Sequence, residues 1–196
     1  MKIDKNKEGK LFIISAPSGG GKTTLINCII QKLSVFYPLA KVITYTSRIP
    51  RINEIEGKDY HFISRHSFLK KINENFFLET NIYNGELYGS PVSIKNQLIH
   101  GQSLIMTTDR NGAKNILTVI KKPILIWIFP PSLAELKKRL KMRGTESATE
   151  IEMRMQLAQQ EILAEEQEKL FDYHLVNNNL QETLDELCSI IIKKLT

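Results

Sequence analysis

Eight residues limit the architecture of this chain more than any other feature. Ala16-Pro17-Ser18-Gly19-Gly20-Gly21-Lys22-Thr23 follow an apolar run, Leu11-Phe12-Ile13-Ile14-Ser15. They lead into a segment with apolar residues at helical spacing: Leu25, Ile26, Ile29, Ile30 and Leu33. Strand, glycine-rich loop and helix N-terminus in that order make a P-loop. The glycines let backbone N–H groups turn inward around a phosphate, and the helix adds the positive end of its dipole. Lys22 is placed to reach the β- and γ-phosphates of a nucleotide, and the Thr23 hydroxyl to ligate Mg²⁺. With Thr24 in the same first turn, residues 16–24 are the expected cradle for a nucleoside triphosphate. The strict pattern opens with glycine, and this chain has Ala16 there; the substitution is compatible if Ala16 keeps a negative φ. A glycine-rich turn without a ligand would explain the glycines but not Lys-Thr at this offset after a strand.

The rest of the pattern agrees with an open parallel sheet. Strands are predicted over 41–46 and 59–63, a helix over 65–73, and two short strands within 76–88 around Asn84-Gly85, a hairpin signal. There follow a helix near 91–98, a strand over 103–109 ending on Asp109, a helix over 113–120, a buried strand over 123–129 and a helix over 133–140. The polar stretch 141–149 is a mobile-loop candidate before a long helix over about 150–169. A strand over 173–178 and a helix over 180–195 close the chain. The fold class expected is α/β, a doubly wound parallel sheet with helices on both faces and a small lobe inserted between its halves.

Composition narrows the class further. With 196 residues, 42% hydrophobic and 24% charged, the chain is neither disordered nor fibrous, and one domain is the default. The apolar run Ile124–Phe129 falls far short of the ~20 residues of a membrane span. The charged start, Met1 to Lys10, has no apolar signal core, so the expected compartment is the cytoplasm, with Cys28 and Cys188 as free thiols. A net charge of +6 suits either nucleic acid or small phosphorylated ligands. The distribution favours the second. Lysines are scattered, whereas Arg48 and Arg51 form one cluster and Arg139, Arg143 and Arg154 another, and arginine is the bidentate phosphate ligand. No aromatic-rich basic pattern for nucleic acid is present.

A nucleotide site alone leaves the acceptor open. No Asn-Lys-x-Asp base-reading motif of switch GTPases is present, and the size suits a small-acceptor kinase. Such an enzyme needs one cationic cluster for the acceptor phosphate, met by Arg48 and Arg51 near Tyr60. It needs another for the transferring group, met by Arg139, Arg143 and Arg154 beside a closing lid. Asp109 is the natural acid near phosphates and metal, because Mg²⁺ takes one or two carboxylates beside phosphate oxygens.

At these residues the chain resembles the guanylate kinase family over nearly all of 11–195. The resemblance rests on the P-loop and on Thr46-Ser47-Arg48-Ile49-Pro50-Arg51, Glu56-Gly57-Lys58-Asp59-Tyr60-His61-Phe62, Phe77-Leu78-Glu79, Tyr88-Gly89-Ser90, Asp109-Arg110-Asn111-Gly112-Ala113, Pro130-Pro131-Ser132 and Arg143-Gly144-Thr145-Glu146. It implies a single domain over 1–196, with a core over about 10–43, 92–138 and 171–196, a GMP-binding lobe over about 44–91 and a lid over about 139–170. It also implies phosphoryl transfer from ATP to GMP, and to dGMP, with Mg²⁺ held by Thr23 and Asp109. Carried over by position, Lys22, Arg48, Arg139, Arg143 and Arg154 are the catalytic set. Arg48, Arg51, Tyr60 and Tyr88 hold the GMP phosphate, and Thr44, Glu79, Ser90 and Asp109 read guanine. Apart from the resemblance, Glu79 would read as a surface acid in a turn.

The chain departs from the family pattern at Thr44 and Ser47, which keep hydroxyls, at Thr107, where an acid is usual, and at Asn111, where glutamine is usual. The segment 81–87 is less typical than its flanks. Two alternatives follow: a kinase for a different small phosphorylated acceptor, and a non-catalytic guanylate-kinase-like domain that binds a protein in the lobe cleft. The second is disfavoured by the intact P-loop.

Overall fold

A computed structural model of the chain describes residues 8–17, 19–144 and 147–196, and of Arg143 the backbone alone. The first strand, β1 (Leu11–Ser15), is buried at every position, as a strand must be when helices cover both faces of its sheet. Alternate residues of β1 divide the core in two. Phe12 and Ile14 pack with Leu25, Ile26 and Ile29 of α1 (Lys22–Leu33), while Leu11 and Ile13 belong to a cluster on the opposite face.

From α1 the chain forms β2 (Leu39–Lys41) and then leaves the central sheet. The single strand predicted over 41–46 is two strands in two sheets: β2 ends at Lys41, and β3 (Tyr45–Thr46) starts the second sheet. The β-branched run marked extended backbone correctly, but it holds no signal for a change of partner. β3 pairs in parallel with β4 (His61–Phe62), and α2 (Arg65–Asn73) follows under its Ser64 cap. The hairpin of β5 (Phe77–Tyr83) and β6 (Glu86–Pro91) turns at Asn84 and Gly85, both at positive φ (50° and 78°), the geometry a two-residue hairpin turn requires. The small sheet therefore has the order β4-β3-β6-β5.

The chain re-enters the core through α3 (Ser93–Ile99), β7 (Ser103–Thr107), α4 (Arg110–Val119) and β8 (Ile124–Phe129). α4 starts earlier than its apolar spacing suggests because Asp109 caps it, accepting a bond from Gly112 N–H at 2.9 Å. Then come α5 (Leu133–Arg143), α6 (Ala148–Glu168), β9 (Tyr173–Val176) and α7 (Leu180–Leu195), whose Leu184, Leu187 and Ile191 complete the α1 side of the core. Of the loop predicted over 141–149, residues 141–143 and 148–149 are helical. Gly144 closes α5 in the left-handed region, and Ser147 with Glu150 forms a capping box that opens α6. Thr145 and Glu146 lie outside the described residues. The central sheet is parallel throughout, in the order β2-β7-β1-β8-β9.

One tight contact fixes how α4 meets β7. A Cβ on Gly112 would sit 2.0 Å from Thr108 Oγ1, so a side chain there requires the Thr108 side chain or the helix start to move. Gly112→Ala is expected to destabilise the protein by about 1–3 kcal/mol, measured as a lower midpoint in urea; an unchanged midpoint would contradict the contact.

Candidate active site

Because β1 and β7 are neighbours, with Ile14 beside Thr107, the chain leaves both strands side by side. Ser15 Oγ ties the two exits together by donating to the Thr108 carbonyl at 2.7 Å. The P-loop and Asp109 thus meet at the carboxyl edge of the sheet, where open α/β sheets bind ligands. Opposite stands the small sheet. Between them is an open cleft lined by the P-loop from Gly19 to Thr23, by Thr44, Arg48, Arg51, Tyr60, Glu79, Tyr88 and Ser90, and by Thr107, Asp109 and Arg154.

At the core end, Ala16 is absent from the residues at positive φ, so the condition set for its replacing glycine is met. Gly21 has φ 92°, and a Cβ there would lie 2.9 Å from the Asn177 side-chain nitrogen. That nitrogen donates to the Gly20 carbonyl at 3.2 Å, bracing the loop from β9. Lys22 Nζ lies over the loop, donating to the Ala16 and Pro17 carbonyls. Ala16 and Pro17 therefore sit behind the lysine rather than in the cleft, and Thr24 is exposed outside the cleft lining. Ser18 lies outside the described residues.

The lobe end is built for an anion. The Arg48 guanidinium forms two 2.9 Å bonds with the Glu54 carboxylate, donates to Tyr88 Oη at 3.3 Å and lies over the Tyr60 ring. Glu54 also accepts from Arg51 N–H at 2.7 Å. Burial works against ionisation of Glu54, but the Arg48 bonds and the Arg51 N–H hold its carboxyl below the usual range. Burial, then the Arg48 and Arg154 charges, pushes the pKa of Arg51 down. Three guanidiniums crowd one space, and a bound phosphate would relieve their repulsion. Burial pushes the Tyr60 hydroxyl up to about 12, so it stays a proton donor.

Deeper in the lobe, Glu79 is no surface acid. Its Oε1 accepts from Ser90 Oγ at 2.6 Å, while Oε2 is buried and has no hydrogen-bond partner. Burial, and then the Asp109 charge, pushes its carboxyl up to about 7 against the Ser90 bonds. Thr44 and Ser90 are buried nearby on the cleft wall. A buried carboxylate with one open oxygen beside two hydroxyls suits a ligand edge with adjacent N–H donors.

The second arginine cluster is only partly assembled here. Arg154 reaches the cleft from α6, whereas Arg139 donates to the Asn177 carbonyl at 3.2 Å and pairs with Glu135 outside the lining. The Arg143 side chain lies outside the described residues. Thr23 and Asp109 share the lining, and among the described residues no three His, Cys, Asp or Glu side chains converge on a metal position. One hydroxyl and one carboxylate are a donor set that fits Mg²⁺ when phosphate oxygens and waters complete the shell.

Sequence reasoning missed three residues. Glu54 stood only three positions after Arg51 and could have been found as a partner acid. Asn177 was placed in a strand without a role. Glu161 of α6 is buried with an unpartnered Oε2, and burial pushes its carboxyl up to about 7 despite the Lys22 charge; nothing in the helix pattern marked it.

The Glu79 shift predicts a pH effect. Between its ordinary value of 4.5 and about 7, the folded chain keeps a proton that the unfolded chain releases, so stability falls as pH rises through that window. Glu79→Gln removes this loss. The melting temperature of the variant relative to the parent is expected to rise between about pH 5 and pH 8; a constant difference would refute the shift.

Comparison with known proteins bears on the same residues. The family model described as guanylate kinase matches residues 8–194. A guanylate kinase of Protochlamydia amoebophila is 42% identical over 191 residues, covering 96% of this chain and 92% of that protein. One of Thermus thermophilus is 35% identical over 188 residues, covering 95% and 81%. The crystal structure of guanylate kinase from Anaplasma phagocytophilum superposes with a TM-score of 0.79 at 27% identity, covering 97% of this chain and 88% of that one.

Proposed function

The chain belongs to the guanylate kinase family and is an enzyme that transfers the γ-phosphoryl group of ATP to GMP, and we propose that the cleft between its two sheets performs the transfer with the residues placed there. The observation that carries this assignment is the asymmetry of the cleft. A P-loop lysine stands at the core end, and two guanidiniums with, deeper in the lobe, a buried carboxylate with an open oxygen line the other end.

In this reading, the amides from Gly19 to Thr23 and the Lys22 ammonium hold the ATP phosphates. Arg48, Arg51, Tyr60 and Tyr88 hold the acceptor phosphate, with Glu54 keeping both arginines extended toward it. Glu79, with Asp109 on the facing core edge, accepts from N1–H and N2–H₂ of guanine, and the Thr44 and Ser90 hydroxyls serve O6 or N7. Adenine offers an acceptor where guanine has N1–H, which would leave Glu79 buried and badly paired, so AMP is rejected. GMP and dGMP share the base and phosphate that the site reads. Arg154, joined by Arg139 and Arg143 as a lid over about 139–170 closes on the core and lobe, spreads the charge of the transferring group and excludes water. Thr23 and Asp109 are the residues that would hold Mg²⁺ bound with ATP, which would supply neutralisation of the phosphate charge. The acceptor oxygen is already ionised, so no general base is assigned. Among the described residues no helix is long and apolar enough to cross a membrane; the reading places the enzyme's action on free nucleotides in the cytoplasm.

A coupled ADP-release assay with ATP against GMP, dGMP, AMP, CMP and UMP tests the proposal. Release that depends on GMP and dGMP is expected. Preference for another acceptor would point to a different small-acceptor kinase, and silence with all five to a binding domain. Lys22→Ala is expected to lower turnover by about a hundredfold or more while leaving GMP affinity unchanged within about twofold. A fully active variant would refute the P-loop assignment.

A further inference from the structure

The base-reading groups stand on two different sheets. Glu79 and Ser90 belong to the lobe hairpin, whereas Asp109 follows β7 of the core. A flat ligand read from both sides is read only as accurately as the sheets are registered. One side-chain bond joins them inside the site: Asn81 Nδ2 donates to Asp109 Oδ2 at 2.6 Å. Asn81 is two residues from Glu79 on β5 and shares its face of the strand. Other ties lie outside the site: the exposed Asn115 Nδ2 of α4 donates to the Thr80 carbonyl at 3.2 Å, and Lys41 Nζ of β2 to the Lys58 carbonyl at 2.8 Å.

The accounting of Asp109 shows what the bond does. Oδ1 accepts from Gly112 N–H and Oδ2 from Asn81, at 2.9 and 2.6 Å. A carboxylate has about four acceptor sites, so two donors on different oxygens fix its rotation and leave the remaining lone pairs toward the cleft that Asp109 lines. No other carboxylate stands at this strand end, where Thr107 and Thr108 precede Asp109. The aim of that one group therefore rests on the Gly112 N–H and on Asn81.

We infer that Asn81 is a positioning residue for the acceptor base: by holding Asp109 against the lobe strand, it sets the spacing of the Asp109 and Glu79 carboxylates and thereby the selectivity for guanine. The inference rests on the guanylate kinase reading of the same cleft. It concerns a residue in the segment 81–87, whose pattern departs from the family's.

The test is GMP affinity by calorimetry in metal-free buffer, beside steady-state kinetics with GMP and AMP. Asn81→Ala is expected to weaken GMP binding about tenfold, the scale of a lost hydrogen bond to a charged group. The KM for GMP should rise by more than the KM for ATP, and the GMP-to-AMP preference should fall. In an Asp109→Ser background, which keeps a helix cap but is too short to reach Asn81, the same substitution should have no further effect. If Asn81→Ala lowers the melting temperature, Asn81→Val, a strand-favouring residue without a donor, reads the same affinity. Unchanged GMP affinity, an equal loss for ATP, or effects that add in full across the double variant would overturn the role of Asn81 while leaving the kinase reading intact. Wild-type protein that neither binds nor phosphorylates GMP would overturn that reading and this inference with it.

Discussion

The parallel pairing of β1 with β7 is the contact on which the site depends. It places Ser15 and Thr108 in hydrogen-bond contact, and so brings the start of the P-loop beside the start of α4. Lys22 and Asp109 are 87 positions apart in the chain, yet each follows its strand by only a few residues. Their meeting is a property of the sheet order rather than of any local motif. Both strands are buried on both faces, and a register slip would expose apolar side chains on each. The precision of the phosphate site is thus secured by the hydrophobic core beneath it.

The lobe works differently. Its sheet is small and its strands are mostly half-buried, so polar and aromatic contacts carry much of its order. Arg48 is held at once by Glu54, Tyr88 and the Tyr60 ring. Such a cluster is costly to leave without an anion and well shaped to receive one, because the donors already converge. Glu79 is the complementary case. Its carboxyl is held up to about 7 by burial, a cost that N–H donors of a bound base would offset.

How much of this was legible in the sequence follows from where each constraint originates. The P-loop, β1, α1, the hairpin turn at Asn84-Gly85 and α7 were readable because local spacing and turn chemistry dictate them. The break between β2 and β3 was not, since Val42 to Thr44 look as extended as their neighbours and only the choice of sheet partner separates them. The helix predicted over about 150–169 is α6, which starts two residues earlier because Ser147 and Glu150 form a capping box that the polar composition of 141–149 obscured. Arg48 and Arg51 could be singled out by clustering, but their shared carboxylate, the burial of Glu79 and the bond from Asn81 to Asp109 depend on distant segments meeting. Glu161 is the plainest example, one of several glutamates on a helix whose pattern does not distinguish the buried from the solvated.

Glu165, one turn further along α6, shows how that helix is tied to the same framework. It is buried without exposure, accepts from Arg110 at 3.0 Å and from Phe171 N–H at 3.0 Å, and contacts His174 of β9 at 2.8 Å. Arg110 immediately follows Asp109, so the first turn of α4 sets the carboxylate of the site and anchors the far end of α6 together. A buried ion pair of this kind adds little net stability compared with apolar packing, but removing either partner is costly because the other is left unpaired. Its consequence is positional. The C-terminal half of α6 is held at Arg110, next to Asp109, while its earlier turns, which carry Arg154 to the cleft, pack against α5 through the Lys137–Glu152 pair, so both ends of the helix are set by groups that border the site.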